Sequence, residues 1–143
     1  MLQRISLLLL ISGLVFMDRL VKGIFLRGAL FQCCFVKFWL VKNSGIAFGL
    51  LSSMPWLIIL INGVFIAILF YLLFFSKEDL GYWQRMGFIM VLAGAVSNFI
   101  DRLHFGYVVD YIDVGWFPVF NLADAFITLG VLAIIFEELR RLI

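Results

Sequence analysis

Four apolar stretches divide the chain, joined by more polar connections, of which SKEDLGY between the second and third is short and charged. A transmembrane helix needs about 20 mostly apolar residues. Residues 5–25, 55–75, 83–100 and 119–139 each come close to that or exceed it. The pattern therefore predicts an all-α membrane protein with four transmembrane helices and both termini on one side. The stretch 55–75 holds 21 residues without a charge. Ser52 and Ser53 lie just before it, in the region of an N-cap, and Pro55 suits the first turn of a helix. Arg4 and the apolar run after it resemble a secretory signal. No small-residue cleavage site follows, and Asp18, Arg19 and Lys22 stand where cleavage would fall, so a retained helix is expected. The connection 26–54 contains FVKFWLVKN, which alternates in places as a strand does and is followed by Gly45 and Gly49, so a small sheet is expected there.

Composition strengthens this reading. Of 143 residues, 65% are hydrophobic and only 14% charged, against roughly 25% charged in soluble domains. Mean hydropathy is +1.15. The length bounds the chain to one domain, 1–143. A net charge of +2 gives no reason to expect a nucleic-acid partner. Cys33 and Cys34 are adjacent, and with no C-x-x-C spacing they indicate neither a disulfide framework nor a zinc site. Cations do not orient the spans. Arg4, Lys77, Arg85, Arg140 and Arg141 fall on one side, and Arg19, Lys22, Arg27, Lys37, Lys42 and Arg102 on or near the other.

Ionisable groups at membrane depth cost at least about 2.5 kcal/mol each and usually mark a site or a pathway. Here they gather at one end of the spans. Asp18 and Lys22 are spaced i, i+4 and can pair. Asn98, Asp101 and Arg102 share a face at the end of the third span. Asn121 and Asp124 have the N-x-x-D spacing of a helix start. Antiparallel spans bring all of these to the membrane face that carries the long first connection, and Asp110 lies on the 104–118 connection at that same face. His104 is the only histidine, and no G-x-S-x-G is present. A carboxylate-only magnesium or calcium site has no spacing signature here. Two facing aspartates sharing a proton remain: like charges that close cannot both ionise, so one stays protonated while the other is a base for water.

The blocks VKNSGIAFGL, GAVSNFIDR, GYVVDYID and FNLADAFITLG, with DRLVK in the first span, resemble in this order those of lipoprotein signal peptidase (signal peptidase II) over nearly the whole chain. The resemblance implies an aspartic endopeptidase of the bacterial cytoplasmic (inner) membrane. It would remove the signal peptide before a diacylglyceryl-modified cysteine, with the long first connection as a small extracytoplasmic β-sheet and loop region. Both termini would be cytoplasmic and the active site near the outer face. The family's catalytic pair falls on Asp110 and Asp124. Its substrate-binding and supporting positions fall on Asp18, Lys22, Asn43, Gly94, Asn98, Asp101, Arg102, Asn121 and Ala123. The partners implied are the diacylglyceryl-prolipoprotein substrate, membrane lipid and globomycin-type inhibitors, acting on a monomer without cofactor or metal. The chain departs from the family at Ala93 and Ser97, where glycines are usual, and at Arg19, where glutamine is usual and whose partner the sequence does not name.

Further expectations concern individual residues. Asp101 and Arg102 are read as an ion pair tying the third span to its neighbours. Asp113 is read as a solvated loop residue and His104 as an interface residue. Gly94, Ala95 and Ser97 are expected to leave a lateral opening beside Asn98 for acyl chains or the signal helix. The 26–54 connection, with Trp39 and Phe48, would close over the cysteine, and Asn43 would meet substrate backbone. Two other classes fit the composition: a small transporter, which would place its key carboxylate mid-span, and a non-catalytic membrane subunit, in which Asp110 and Asp124 have no reason to meet.

Overall fold

The computed structural model describes residues 2–45, 54–76 and 80–142. Ser52, Ser53, Phe48 and Lys77 lie outside them. The order of elements is α1 (Leu2–Leu26), β1 (Phe31–Cys33), β2 (Val36–Asn43), α2 (Pro55–Phe75), α3 (Tyr82–Phe105), β3 (Val108–Asp113) and α4 (Leu122–Leu142). The second apolar stretch is a helix over its expected residues. Its N-cap is Met54, which makes no side-chain cap, and Pro55 takes the first turn.

The other three helices differ from expectation at their ends, by one to five residues. Helix α1 begins three residues before the expected start, at Leu2. Helix α3 runs on past Ile100 to Phe105, so Asp101, Arg102 and His104 are helical; it stops at Gly106, whose φ of 78° suits glycine. Helix α4 starts at Leu122 rather than Val119. Apolar as it is, Phe120 bridges to Ile112, donating its N–H to the Ile112 carbonyl at 3.1 Å, and so belongs to the sheet edge.

Small residues set the helix packing. A Cβ on Gly87 would lie 2.5 Å from the Gly130 carbonyl oxygen, and one on Gly130 2.7 Å from that of Gly87. Gly94 meets the Ala123 carbonyl in the same way. Helices α3 and α4 therefore touch backbone to backbone, as small residues permit in membranes. The apolar core joins Leu7 and Ile11 of α1, Leu69 and Phe74 of α2, and Ile89, Val91, Leu92 and Ala93 of α3. Large apolar side chains such as Leu9, Phe16, Trp56, Leu60, Tyr71 and Leu132 point outward, an exterior unsuited to water. Helices α2 and α3 are long and apolar enough to cross a membrane, with mean hydropathies of 2.8 and 1.4.

The expected sheet is present, with a third strand. The order is β1-β2-β3, all antiparallel. Phe38 pairs with Ile112 and Val41 with Asp110, so β2 carries one extra residue between them, a bulge. An aromatic stack ties the sheet to α1: Phe25 lies 4.5 Å from Tyr111, and Phe31 4.6 Å from Phe38, centroid to centroid.

Candidate active site

Asp110 sits in mid-β3, 1% exposed. Asn43 lies two residues beyond Val41, the cross-strand partner of Asp110, and so on the same face. Its Nδ2 donates to Asp110 Oδ2 at 2.9 Å. Asn121 Nδ2 donates to Asp110 Oδ1 at 2.7 Å, and also reaches Asn98 Oδ1 at 3.1 Å and the Val109 carbonyl at 3.2 Å.

Asn121 also closes a capping box at the start of α4. Its Oδ1 accepts the Asp124 N–H at 2.9 Å, and its own N–H donates to Asp124 Oδ2 at 3.1 Å. The other oxygen of Asp124 accepts Asn98 Nδ2 at 2.8 Å. Asp124 is thus both a helix cap and a member of the polar cluster. Asn121 holds Asp110 with its side chain and Asp124 with its backbone, which fixes the two carboxylates close together. Burial, and then the charge of Asp124, push the Asp110 carboxyl up to about 7, against the smaller opposing effects of the Asn43 and Asn121 bonds and the Lys22 charge.

A second layer sits behind these two residues. Lys22, fully buried, spends its three donors on Asp18 Oδ2 at 2.8 Å, Asp101 Oδ2 at 2.7 Å and Asn98 Oδ1 at 2.9 Å. The free oxygen of Asp18 accepts the Ala123 N–H at 3.0 Å, and Asp101 Oδ2 accepts the Val109 N–H at 3.1 Å. Ala123 directly precedes Asp124, and Val109 directly precedes Asp110. Each buried carboxylate therefore clamps the backbone next to one of the two aspartates, and Lys22 joins the clamps. Ser97 Oγ donates to Asp18 Oδ2 at 2.5 Å, and Arg19 Nη1 donates to Asp101 Oδ1. Arg102 Nη2 donates to the Gly45 carbonyl at 3.2 Å, and its charge acts on Asp124, Asp110 and Asp101.

All eleven positions singled out in the sequence lie in or against this cluster. Ala123 enters through its N–H, and Gly94 as the floor on which the Ala123 carbonyl rests. The partner of Arg19 is not legible in the sequence, and neither is the bond Ser97 makes, since each meets its partner only across α1 and α3. Three expectations are corrected. Gly94, Ala95 and Ser97 leave no opening, because Gly94 is in contact with α4, Ala95 is buried and the Ser97 hydroxyl is spent on Asp18. Asp113 is no loop residue: it ends β3 and accepts Trp39 Nε1 at 3.1 Å and the Gly115 N–H at 2.9 Å, bonds that hold its carboxyl below the usual range. The ion pairs of α3 run from Asp101, while Arg102 turns to the Gly45 carbonyl. A cavity of about 260 Å³ opens on the sheet beside Lys37 and Trp39, lined by neither Asp110 nor Asp124. Among the described residues, no three His, Cys, Asp or Glu side chains converge as metal ligands do.

A family model described as signal peptidase (SPase) II matches residues 9–140. The chain belongs to the signal peptidase II family. Proteins named lipoprotein signal peptidase include one from Bartonella tribocorum, 45% identical over 112 residues, which are 74% of this chain and 66% of that protein. Another, from Clostridioides difficile, is 39% identical over 92 residues, 63% of this chain and 61% of that protein. The matched stretch thus spans about two thirds of these relatives' length. Among solved structures, a bacterial membrane enzyme determined by the in meso method superposes with a TM-score of 0.85 at 30% identity, covering 94% of this chain and 88% of that one. A second, determined in the same way, gives a TM-score of 0.82, also at 30% identity, covering 94% and 92%.

Proposed function

We propose that this chain is a membrane-embedded aspartic endopeptidase that cuts the signal peptide from diacylglyceryl-modified prolipoproteins, just before the lipidated cysteine. Asp110 and Asp124 are the catalytic pair. The observation that carries this reading is that Asn121 binds both carboxylates while Asp110 is pushed up to about 7. Near neutrality the pair holds one proton and titrates as a unit. The ionised carboxylate takes a proton from water as its oxygen bonds to the scissile carbonyl carbon. The neutral carboxyl gives its proton to the carbonyl oxygen. As the resulting diol collapses and the C–N bond breaks, the first carboxyl gives the proton it took from water to the leaving nitrogen and the second carboxylate takes a proton from a diol hydroxyl, so the pair again holds one proton. Asn43, at the rim of the cluster, would bind substrate backbone, and Arg102 holds the Gly45 carbonyl.

All four helices span the membrane in this reading, as a single domain acting as a monomer. Helices α1 and α4, though they carry several charges, turn Leu9 and Phe16, and Leu132 and Leu139, outward. Both termini lie in the cytoplasm, and the sheet stands at the outer face of the inner membrane. Globomycin-type inhibitors would compete for the same site.

The test is cleavage of a diacylglyceryl-modified prolipoprotein peptide by the purified protein. Asp110→Asn and Asp124→Asn should each insert and purify yet lose almost all turnover, since an amide is neither acid nor base. Substantial turnover in either variant contradicts the aspartic assignment.

A further inference from the structure

Arg4, Lys77, Arg85, Arg140 and Arg141 stand at the end of the bundle away from the candidate active site. Arg140 and Arg141 pair with Glu137 at 2.8 and 3.5 Å. Glu138, beside it, accepts Gln84 Nε2 at 2.7 Å. Lys77, Glu78 and Asp79 lie outside the described residues. Arg4 and Arg85 remain, and among the described residues neither pairs with a carboxylate. Both line a cavity of about 170 Å³ between the start of α1, the end of α2 and the start of α3, walled by Leu7, Leu72, Leu73 and Phe74. The Arg4 guanidinium stands 5.5 Å from the centroid of the Phe75 ring, which turns it toward the end of α2. Arg85 is half-buried, and among the described residues its guanidinium reaches only the Leu80 carbonyl, at 3.5 Å.

We propose that this cavity binds the phosphate of an anionic phospholipid. Where membrane spans end, the bilayer supplies phosphodiesters, and basic pockets between transmembrane helices take such head groups. The planar guanidinium fork matches phosphate oxygens two at a time and is weakly hydrated, so it gives up water readily for such a partner. A half-buried charge walled by leucines gains most from that exchange. The acyl chains have a seat as well. Val64, Ile68, Tyr71 and Phe75 of α2 are all exposed and, three or four residues apart, form one apolar face. That face ends at Phe75, under the Arg4 guanidinium. A zwitterionic head group would bring its own cation against two arginines, so the site selects a lipid whose net charge is negative. It would stand in either orientation of the spans, and whether or not the chain is a peptidase; it rests only on α1, α2 and α3 crossing the membrane.

The experiment titrates the delipidated, detergent-purified protein with phosphatidylglycerol and with phosphatidylcholine, counting bound lipid by native mass spectrometry. Each arginine facing a lipid head group contributes a factor of about five, so wild type should hold its first phosphatidylglycerol on the order of twentyfold more tightly than phosphatidylcholine. Arg4→Gln and Arg85→Gln should each keep about a fivefold preference, and the double variant none. Arg140→Gln, whose charge is already paired with Glu137, should behave as wild type. Equal binding of the two lipids by wild type, or a preference that survives in the double variant, would overturn the site. An equal loss in Arg140→Gln would overturn it too, since it would show a general surface charge. Inorganic phosphate at the lipid's concentration should not displace phosphatidylglycerol; displacement would mean a free anion is read and would sink the lipid assignment. Should Arg85→Gln fail to accumulate, Arg4→Gln decides alone, because Arg4 is exposed and its loss leaves the packing intact.

Discussion

Replacing Asn43 by alanine should move the alkaline limit of activity upward. Asn43 donates one hydrogen bond to Asp110 Oδ2, at 2.9 Å, and that bond favours the ionised carboxylate. Without it, burial and the Asp124 charge hold the proton on Asp110 more tightly. A hydrogen bond to a charged group contributes about 1.5–3 kcal/mol. Asn43 is only partly buried, so the lower end applies, which at 1.36 kcal/mol per unit is about one pH unit. The pair needs one proton to act, so kcat/KM of the wild type should fall as pH rises through about 7. For Asn43→Ala the fall should come near pH ~8. At pH 8.5 the variant would then keep roughly eightfold more of its own maximum than wild type does. The assay is the pH dependence of kcat/KM on the lipid-modified peptide, which reports the free enzyme. If Asn43 served only to bind substrate, the whole curve would drop with its limb in place. A limb that stays put, or moves to lower pH, refutes the reasoning.

Three further outcomes are expected. Gly94→Ala should destabilise the protein by about 1–3 kcal/mol through overpacking and lower turnover, because its methyl meets the Ala123 carbonyl and Ile127; Gly13→Ala, with nothing within 4 Å, is the control, and equal effects of the two would discount the backbone contact. Chelators and His104→Ala should leave activity intact, since His104 is exposed and rests edge-on against Phe105; loss restored by a divalent ion would point instead to a carboxylate-bound metal. Asp110 in the fold binds its proton more tightly than in the unfolded chain, about 7 against 3.8, so its contribution to stability is full below about pH 3.8 and is lost as pH rises through 7; the melting temperature of wild type should fall across that window relative to Asp110→Asn, and parallel curves would contradict the raised value.

The sequence carried the helices, and the gathering of polar residues into one cluster, unusually far, because both were written locally. Residues 55–75 are apolar throughout and open on Pro55, so length and composition alone gave the boundaries of α2. Asn121 and Asp124 announced a helix start by their spacing, and the capping box is there. Where reading failed, the deciding partner was remote in sequence. Phe120 looked like the first turn of a span, yet it completes a bridge to Ile112 that only the folded β3 offers. Small side chains at Gly94 and Ser97 looked like empty space, and in the fold α4 and the carboxylate of Asp18 occupy it. Arg19 is the sharpest case. It follows Asp18, and no residue at helical spacing explains its charge; its partner Asp101 is 82 residues away. An ion pair between helices so far apart in sequence cannot be inferred from periodicity. It becomes legible only once α1 and α3 are side by side and the charges around Lys22 can be counted.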